Sequence, residues 1–183
     1  SMRLLSATFD ETAHLPAGYT YLATGDFRLN PQHPPLIKLI AAAPLSLAGI
    51  EPDLDDPAWR RDPPNEWEFG YRFLYGNDAD RLLFWGRLPI ALLSLLMAFY
   101  VFRWARELFG DAAGLAALAL CAFSPTVIAH ARLVTFDVGL ACFSTMALYH
   151  LWRHARGGEW AHLFLAGAGL GLRSEEHTSE LQS

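Results

Sequence analysis

Four long apolar blocks fill most of the second half of this chain and strongly restrict its possible folds. They cover residues 82–104, 112–129, 138–152 and 160–172, and Pro125 is expected to kink or end the second block. A soluble domain would distribute its apolar residues in short periodic groups, whereas a helix that spans a bilayer needs about 20 consecutive, mainly apolar residues. We therefore predict an all-α integral membrane protein with four spanning helices, the last of them cut short at residue 172.

The first 81 residues differ from these blocks and are predicted to form one large extramembrane loop. A polar helix is expected from Asp10. The apolar run 36–50 is too short to span, so it is predicted to lie at the membrane interface or to re-enter it. Residues 51–80 are charged, rich in proline and rich in aromatic residues. The loop should therefore carry juxtamembrane helices.

The two ends of the sequence look unlike the native ends of a protein. Residues 1–9 resemble the tail of a preceding helix, and residues 173–183 resemble the translation of a common sequencing adapter. Residues 173–183, including His177, are therefore not expected to carry function. A chain of this kind is expected to be an N-terminal fragment that is inactive by itself.

Arginines predict the orientation of the chain in the membrane. Arg103 lies at the end of the first block, Arg106 lies between the first two blocks, and Arg153 and Arg156 follow the third. The positive-inside rule makes their side cytoplasmic, which puts residues 10–80 and 130–137 on the outer face. The net charge is −5 and no basic patch is present, so nucleic acid is not an expected partner.

Ionisable side chains are then expected to converge at the outer face. Charged groups at membrane depth are costly to bury and are usually functional. The candidates are Asp10, Glu11, His14, His33, Lys38, Arg87, Arg132 and Asp137.

Several of these candidates have two interpretations from sequence alone. Asp10 and Glu11 suit the first turn of a helix, where Asp10 is a possible N-cap. Glu11 and His14, one helical turn apart, could hold a divalent metal cation with Asp10 or could form a local salt bridge. Arg87 could extend to the lipid headgroups or bind a lipid phosphate. Asp137 lies between apolar blocks and needs a partner, a metal or a proton.

Five short motifs stand out in the sequence: Asp10-Glu11-x-x-His14, Gly25-Asp26-Phe27-Arg28-Leu29-Asn30-Pro31, His33-Pro34-Pro35-Leu36, Ser124-Pro125 and Ala131-Arg132-Leu133-Val134-Thr135-x-Asp137. Together they resemble bacterial members of glycosyltransferase family 39. Those proteins are integral-membrane transferases of the GT-C fold, similar to protein O-mannosyltransferases and to the lipid A aminoarabinose transferase. The resemblance covers roughly residues 1–172.

The resemblance implies a multi-pass enzyme of the bacterial inner membrane with its active site at the periplasmic face. A polyprenyl-phosphate-linked sugar would be transferred, with inversion, to a hydroxyl of an unidentified protein, lipid or glycan acceptor. Asp10 would be the general base, while Glu11 and Asp137 would orient the acceptor, hold a metal or stabilise the sugar ring.

Basic residues complete the implied site. Lys38, Arg87 and Arg132 would neutralise the departing lipid phosphate, and His33 would contact substrate. A fragment of a polytopic transporter or flippase is the alternative, although transporters place ionisable groups nearer the bilayer midplane.

Overall fold

The computed structural model describes residues 5–174, and all regular elements in that range are helices. The α-helices are α1 (Phe9–Thr24), α2 (Pro35–Ala42), α3 (Pro57–Arg60), α4 (Glu66–Tyr75), α5 (Ala79–Phe109), α6 (Asp111–Ala122), α7 (Pro125–His130), α8 (Asp137–Ala155) and α9 (Trp160–Ser174). A 3₁₀-helix, Ala43–Ala48, continues directly from α2. The all-α prediction is confirmed for these residues.

The longest helix, α5, has 31 residues and would extend about 46 Å at 1.5 Å per residue. It begins where the Asp78 carboxylate accepts the Arg81 N–H, and it ends at Gly110, whose φ of 91° breaks the helical path. In the part of the chain that the structure describes, α5 is the one helix both long and apolar enough to cross a membrane. It contains the predicted span 82–104.

The other predicted spans form shorter or more polar helices. The apolar helices Asp111–Ala122 and Trp160–Leu172 are too short to span a membrane. Helix α8 is longer but is not apolar enough to be counted as a span. The second block is divided because α6 ends at Ala122 and Pro125 starts α7, with Ser124 as its N-cap. The predicted interruption at Pro125 is confirmed, whereas passage through the membrane more than once stays a prediction.

The N-terminal region folds against the long helices. The predicted interfacial segment is present as α2 and the following 3₁₀-helix, and the charged stretch 51–80 contains the short helices α3 and α4. Helix α1 packs against both α2 and α4, and α2 also contacts α5. Aromatic side chains that are buried in this layer include Tyr19, Tyr21, Trp59, Phe69 and Phe73.

The tail that was predicted to be non-native falls almost entirely outside the described residues. Helix α9 continues through Arg173 to Ser174, two residues beyond the predicted boundary. Residues 175–183 are not described, so the adapter interpretation stays a prediction.

Helix α1 contains a proline that explains how closely α4 approaches it. Pro16 has no N–H, so it cannot bond the carbonyl of Thr12 as an ordinary helical residue would. Gly70 of α4 lies against that carbonyl, and a Cβ built on Gly70 would stand only 1.8 Å from the Thr12 oxygen. A side chain at residue 70 would therefore force the two helices apart.

We expect Gly70→Ala to lower the free energy of unfolding by about 1–3 kcal/mol, the usual range for overpacking. Denaturant titration in detergent micelles measures this change. Gly167→Ala is the matched control, because Gly167 lies in α9 and its Cβ would meet no atom within 4 Å. The control should be neutral or slightly stabilising, and equal destabilisation by both variants would contradict the packing argument.

Candidate active site

A buried ion pair joins the N-terminal helix to the long helix. The Arg87 guanidinium of α5 donates from Nε to Glu11 Oε1 and from Nη2 to Glu11 Oε2, both at 2.7 Å. Both side chains are completely buried. Arg87 also donates to the carbonyl oxygens of Leu5 and Ser6, at 2.9 and 3.0 Å. The guanidinium therefore holds the segment before α1 as well as α1 itself.

The same carboxylate also holds two backbone segments. Glu11 Oε2 accepts from the backbone N–H and the hydroxyl of Thr8, each at 3.0 Å. Glu11 Oε1 accepts the N–H of Val134 at 3.1 Å, from the segment between α7 and α8. We call Glu11, Arg87, Thr8 and Val134 the Glu11 junction. It brings together three parts of the chain that are far apart in sequence.

Thr8, rather than Asp10, is the N-cap of α1. Glu11 reaches back to the Thr8 N–H as the third helical residue of a capping box does, and Asp10 is the second residue of the helix. The prediction that Asp10 caps α1 was therefore wrong. The signal was present in the sequence, because Thr-x-x-Glu before a helix is the capping-box pattern.

The junction keeps Glu11 ionised. Burial alone would raise the pKa of Glu11, but the Arg87 guanidinium and the N–H groups of Thr8 and Val134 outweigh it and hold the pKa below its usual value of 4.5. A stably charged carboxylate suits a structural anchor, whereas a general base must exchange protons near the working pH.

The hydrogen-bond partners of Glu11 decide between its metal and salt-bridge interpretations. Glu11 accepts five hydrogen bonds, and His14 Nδ1 lies 3.3 Å from the Val134 carbonyl oxygen. Within residues 5–174 no group of three His, Cys, Asp or Glu side chains is placed to hold a metal ion. The surroundings of Glu11 therefore fit an ion pair with Arg87 rather than a metal site.

A cluster of three rings lies beside the junction. The ring centroid of His14 is 5.2 Å from that of His33 and 4.5 Å from that of Phe136. His33 and Phe136 stack at 5.2 Å with 29° between their planes. His14 is buried and His33 is exposed, so the cluster extends from the interior to the surface. Sequence reasoning missed Phe136, an ordinary apolar residue in an apolar context.

Lys38 is enclosed in a polar cage below α1. Its Nζ donates to the backbone carbonyl and the side-chain Oδ1 of Asn30, at 2.7 and 2.8 Å, and to the Tyr21 hydroxyl at 3.2 Å. Lys38 is completely buried. Asn30 adopts a φ of 64°, so its carbonyl and its side chain both reach the ammonium group. The cage satisfies Lys38 with protein groups.

Two of the predicted carboxylates are exposed. Asp10 is exposed on the first turn of α1, next to Glu11. Asp137 is the first residue of α8, its side chain is 67% exposed, and its Oδ2 lies 3.7 Å from His130 Nε2. Asp10 is adjacent to Glu11, and Asp137 follows Val134 by three residues, so each aspartate is close in sequence to a member of the Glu11 junction.

Arg132 is the remaining predicted cation at this end. It is half-buried, and its Nε is buried with no hydrogen-bond partner among the described residues. The nearby Thr135 hydroxyl is in the same condition. Unsatisfied buried polar atoms are few in folded proteins, and they mark places where a ligand or water supplies the missing partner.

Removing one member of the buried ion pair should be costly. We expect Glu11→Gln or Arg87→Met to lower the free energy of unfolding by about 3–5 kcal/mol, because each leaves an uncompensated buried group. Denaturant titration in detergent micelles is the measurement. Asp55→Asn, which breaks the exposed Asp55–Arg60 pair, should cost less than about 1 kcal/mol. A Glu11→Gln variant as stable as Asp55→Asn would show that the junction does not anchor the fold.

His14 should make stability depend on pH. Burial, with smaller contributions from Lys38 and His33, lowers the pKa of His14 from 6.5 to about 4. Between these values the unfolded chain binds a proton that the folded chain does not, so stability falls as the pH drops from 6.5 towards 4. The loss is on the order of 3 kcal/mol.

The matched measurement compares unfolding at pH 6.5 and pH 4.5 in two variants. The variants are the wild type and His14→Gln, and His14→Gln should flatten the pH dependence in this window. Identical slopes in the wild type and His14→Gln would refute the assignment.

Comparison with known families assigns the chain to a recognised group. The family model for dolichyl-phosphate-mannose-protein mannosyltransferases matches residues 80–174, slightly more than half of the chain, and the match includes Arg87, Val134 and Asp137. Comparison with curated proteins found no match. Comparison with solved structures also found none. The chain belongs to the dolichyl-phosphate-mannose-protein mannosyltransferase family, whose members are glycosyltransferases of the GT-C type.

Proposed function

We propose that this protein transfers a sugar from a polyprenyl-phosphate donor to an acceptor hydroxyl, with inversion, at the outer face of a bacterial inner membrane. The observation that carries the proposal is the Glu11 junction, which fixes exposed Asp10 beside the segment that leads to Asp137. The family match supports a glycosyltransferase rather than the transporter or flippase fragment considered above.

Asp10 is the general base in this proposal. It is exposed, whereas its neighbour Glu11 is buried and saturated with hydrogen-bond donors. The Asp10 carboxylate would accept the proton of the acceptor hydroxyl as its oxygen attacks the anomeric carbon and the bond to the lipid phosphate breaks.

Glu11 has a positioning role in this scheme. Its carboxylate is fully used in holding α1 on α5 and on the Val134 backbone. It therefore sets the place of Asp10 without touching substrate. Asp137 and His33, both exposed, are the candidates for contacts to the sugar or the acceptor.

Arg132 is the leading candidate for binding the departing lipid phosphate. A guanidinium matches the geometry of a phosphate oxygen pair, and Arg132 retains a buried Nε without a partner among the described residues. Lys38 and Arg87 are buried and bonded to protein acceptors. Their positive charges would act on the phosphate at a distance, by lowering the free energy of a negatively charged group nearby.

The exposed surface of α5 and α6 is compatible with a lipid-linked donor. Apolar side chains of α5 and α6 are strongly exposed, including Leu92, Leu95, Leu115 and Leu120, the last with 77% of its surface exposed. Exposed apolar patches of this kind mark contact with lipid or with further protein. A polyprenyl chain in the bilayer could then present its phosphate-linked sugar to Asp10.

The test is Asp10→Asn in the enzyme that contains this sequence. The change keeps the shape of the side chain and removes its basicity, so sugar transfer from a polyprenyl-phosphate donor should fall by about 10²–10⁴-fold. Asp80→Asn is the matched control, because Asp80 is also exposed at the second position of its helix. The control should retain activity.

Two results would contradict this assignment. Near-normal turnover by Asp10→Asn would move the base elsewhere, with Asp137 the next candidate. An equal loss of activity in Asp80→Asn would indicate a general effect of helix N-terminal charge on folding, which the melting temperature of each variant would report.

A further inference from the structure

A second polar cluster lies at the far end of α5, away from Asp10. Arg87 and Glu107 are separated by 20 positions of one helix, or about 30 Å. Residues 88–102 between them are uncharged. Glu107 Oε1 accepts from Arg103 Nε at 3.0 Å and from the Tyr149 hydroxyl at 2.8 Å, and Glu107 Oε2 accepts from Arg153 Nη1 at 2.7 Å.

Two clefts flank Glu107. One, of about 390 Å³, is lined by Phe99, Phe102, Arg103, Arg106, Glu107 and Asp111. In that cleft each arginine has a carboxylate partner, since Arg106 Nε lies 2.5 Å from Asp111. The charges there are balanced, so the cleft is a weak candidate for an anion.

The other cleft, which we call the Arg156 cleft, has an excess of positive charge. Its volume is about 530 Å³, and its lining is Glu107, Trp152, Arg153, Arg156, Gly157 and Gly158. Glu107 is already shared among Arg103, Arg153 and Tyr149. Arg156 has no carboxylate partner among the described residues, and its guanidinium instead lies over the Trp152 ring, 5.4 Å from the centroid.

This arrangement suits a phosphate group. Two guanidinium groups line one concave site, and guanidinium–phosphate pairs are strong because both partners are charged and match in geometry. The Trp104 ring, 6.2 Å from that of Trp152, carries a buried Nε1–H with no hydrogen-bond partner in residues 5–174. Glu159, in the linker that follows, does not line the cleft.

Apolar surface close to the cluster favours a lipid over a free phosphate. Phe99 and Phe109, on the same end of α5, expose 49% and 77% of their surfaces, and Trp160 at the start of α9 exposes 77%. Exposed aromatic rings beside arginines are typical of the level of the lipid headgroups. Acyl chains of a lipid held by its phosphate could lie along such a surface.

We propose that the Arg156 cleft binds the phosphate of an anionic phospholipid on the cytoplasmic face, opposite Asp10. The proposal rests on the membrane placement given under the proposed function, but not on the role of Asp10. Basic pockets between helices on the cytoplasmic side are the sites where anionic headgroups bind.

Native mass spectrometry tests the proposal. The protein is mixed in detergent with equal amounts of phosphatidylglycerol and phosphatidylcholine, and the lipids that stay bound after removal of the detergent are counted. We expect retained phosphatidylglycerol to exceed phosphatidylcholine, and Arg156→Gln to reduce it about fivefold, roughly 1 kcal/mol of binding free energy. Arg81→Gln is the matched control, an exposed arginine at the opposite end of α5, and should bind as the wild type does. Asp10→Asn should also retain the lipid, which separates this test from that of the transferase.

Three outcomes would overturn the proposal. Equal retention of both lipids would show that charge is not recognised. An equal loss in Arg81→Gln and Arg156→Gln would indicate a nonspecific effect of net charge. Displacement of the phospholipid by inorganic phosphate at equal concentration would identify a site for free phosphate and exclude the lipid.

Discussion

The buried pair between Glu11 and Arg87 is the interaction on which the rest of this structure depends. A charge in the interior is tolerated only when its partner and its remaining hydrogen bonds are supplied. Here Thr8 and the Val134 backbone N–H donate the remaining hydrogen bonds to Glu11, and the carbonyls before α1 accept those of Arg87. The requirement to satisfy one carboxylate therefore fixes how α1, α5 and the segment before α8 meet.

This requirement also gives the two adjacent acidic residues different environments. Glu11 is buried and has its oxygens fully bonded, while Asp10 remains at the surface. The two residues point in different directions because successive helical residues are about 100° apart. An acidic pair at the start of a helix can thus provide a buried anchor and an exposed carboxylate from neighbouring positions.

Sequence patterns predicted the helical class, the long helix and the break at Pro125, because apolar block length and proline act locally. They also identified Glu11, His14 and Arg87 as unusual residues. They did not predict that Glu11 pairs with Arg87, because the two lie 76 positions apart and either could have had a local partner or a ligand. The cage around Lys38 was missed for a similar reason, since it depends on the left-handed backbone of Asn30.

Helix α5 separates two charged clusters by a fixed distance, and that distance has a consequence for the membrane around it. Arg87 and Glu107 lie about 30 Å apart along this helix, which is close to the thickness of a bilayer's hydrocarbon core. In a thinner membrane the helix must tilt, and in a thicker one a charged end is drawn into the acyl region. Because Arg87 holds α1 in place, lipid chain length becomes a variable that acts directly on the position of Asp10 in the proposed mechanism.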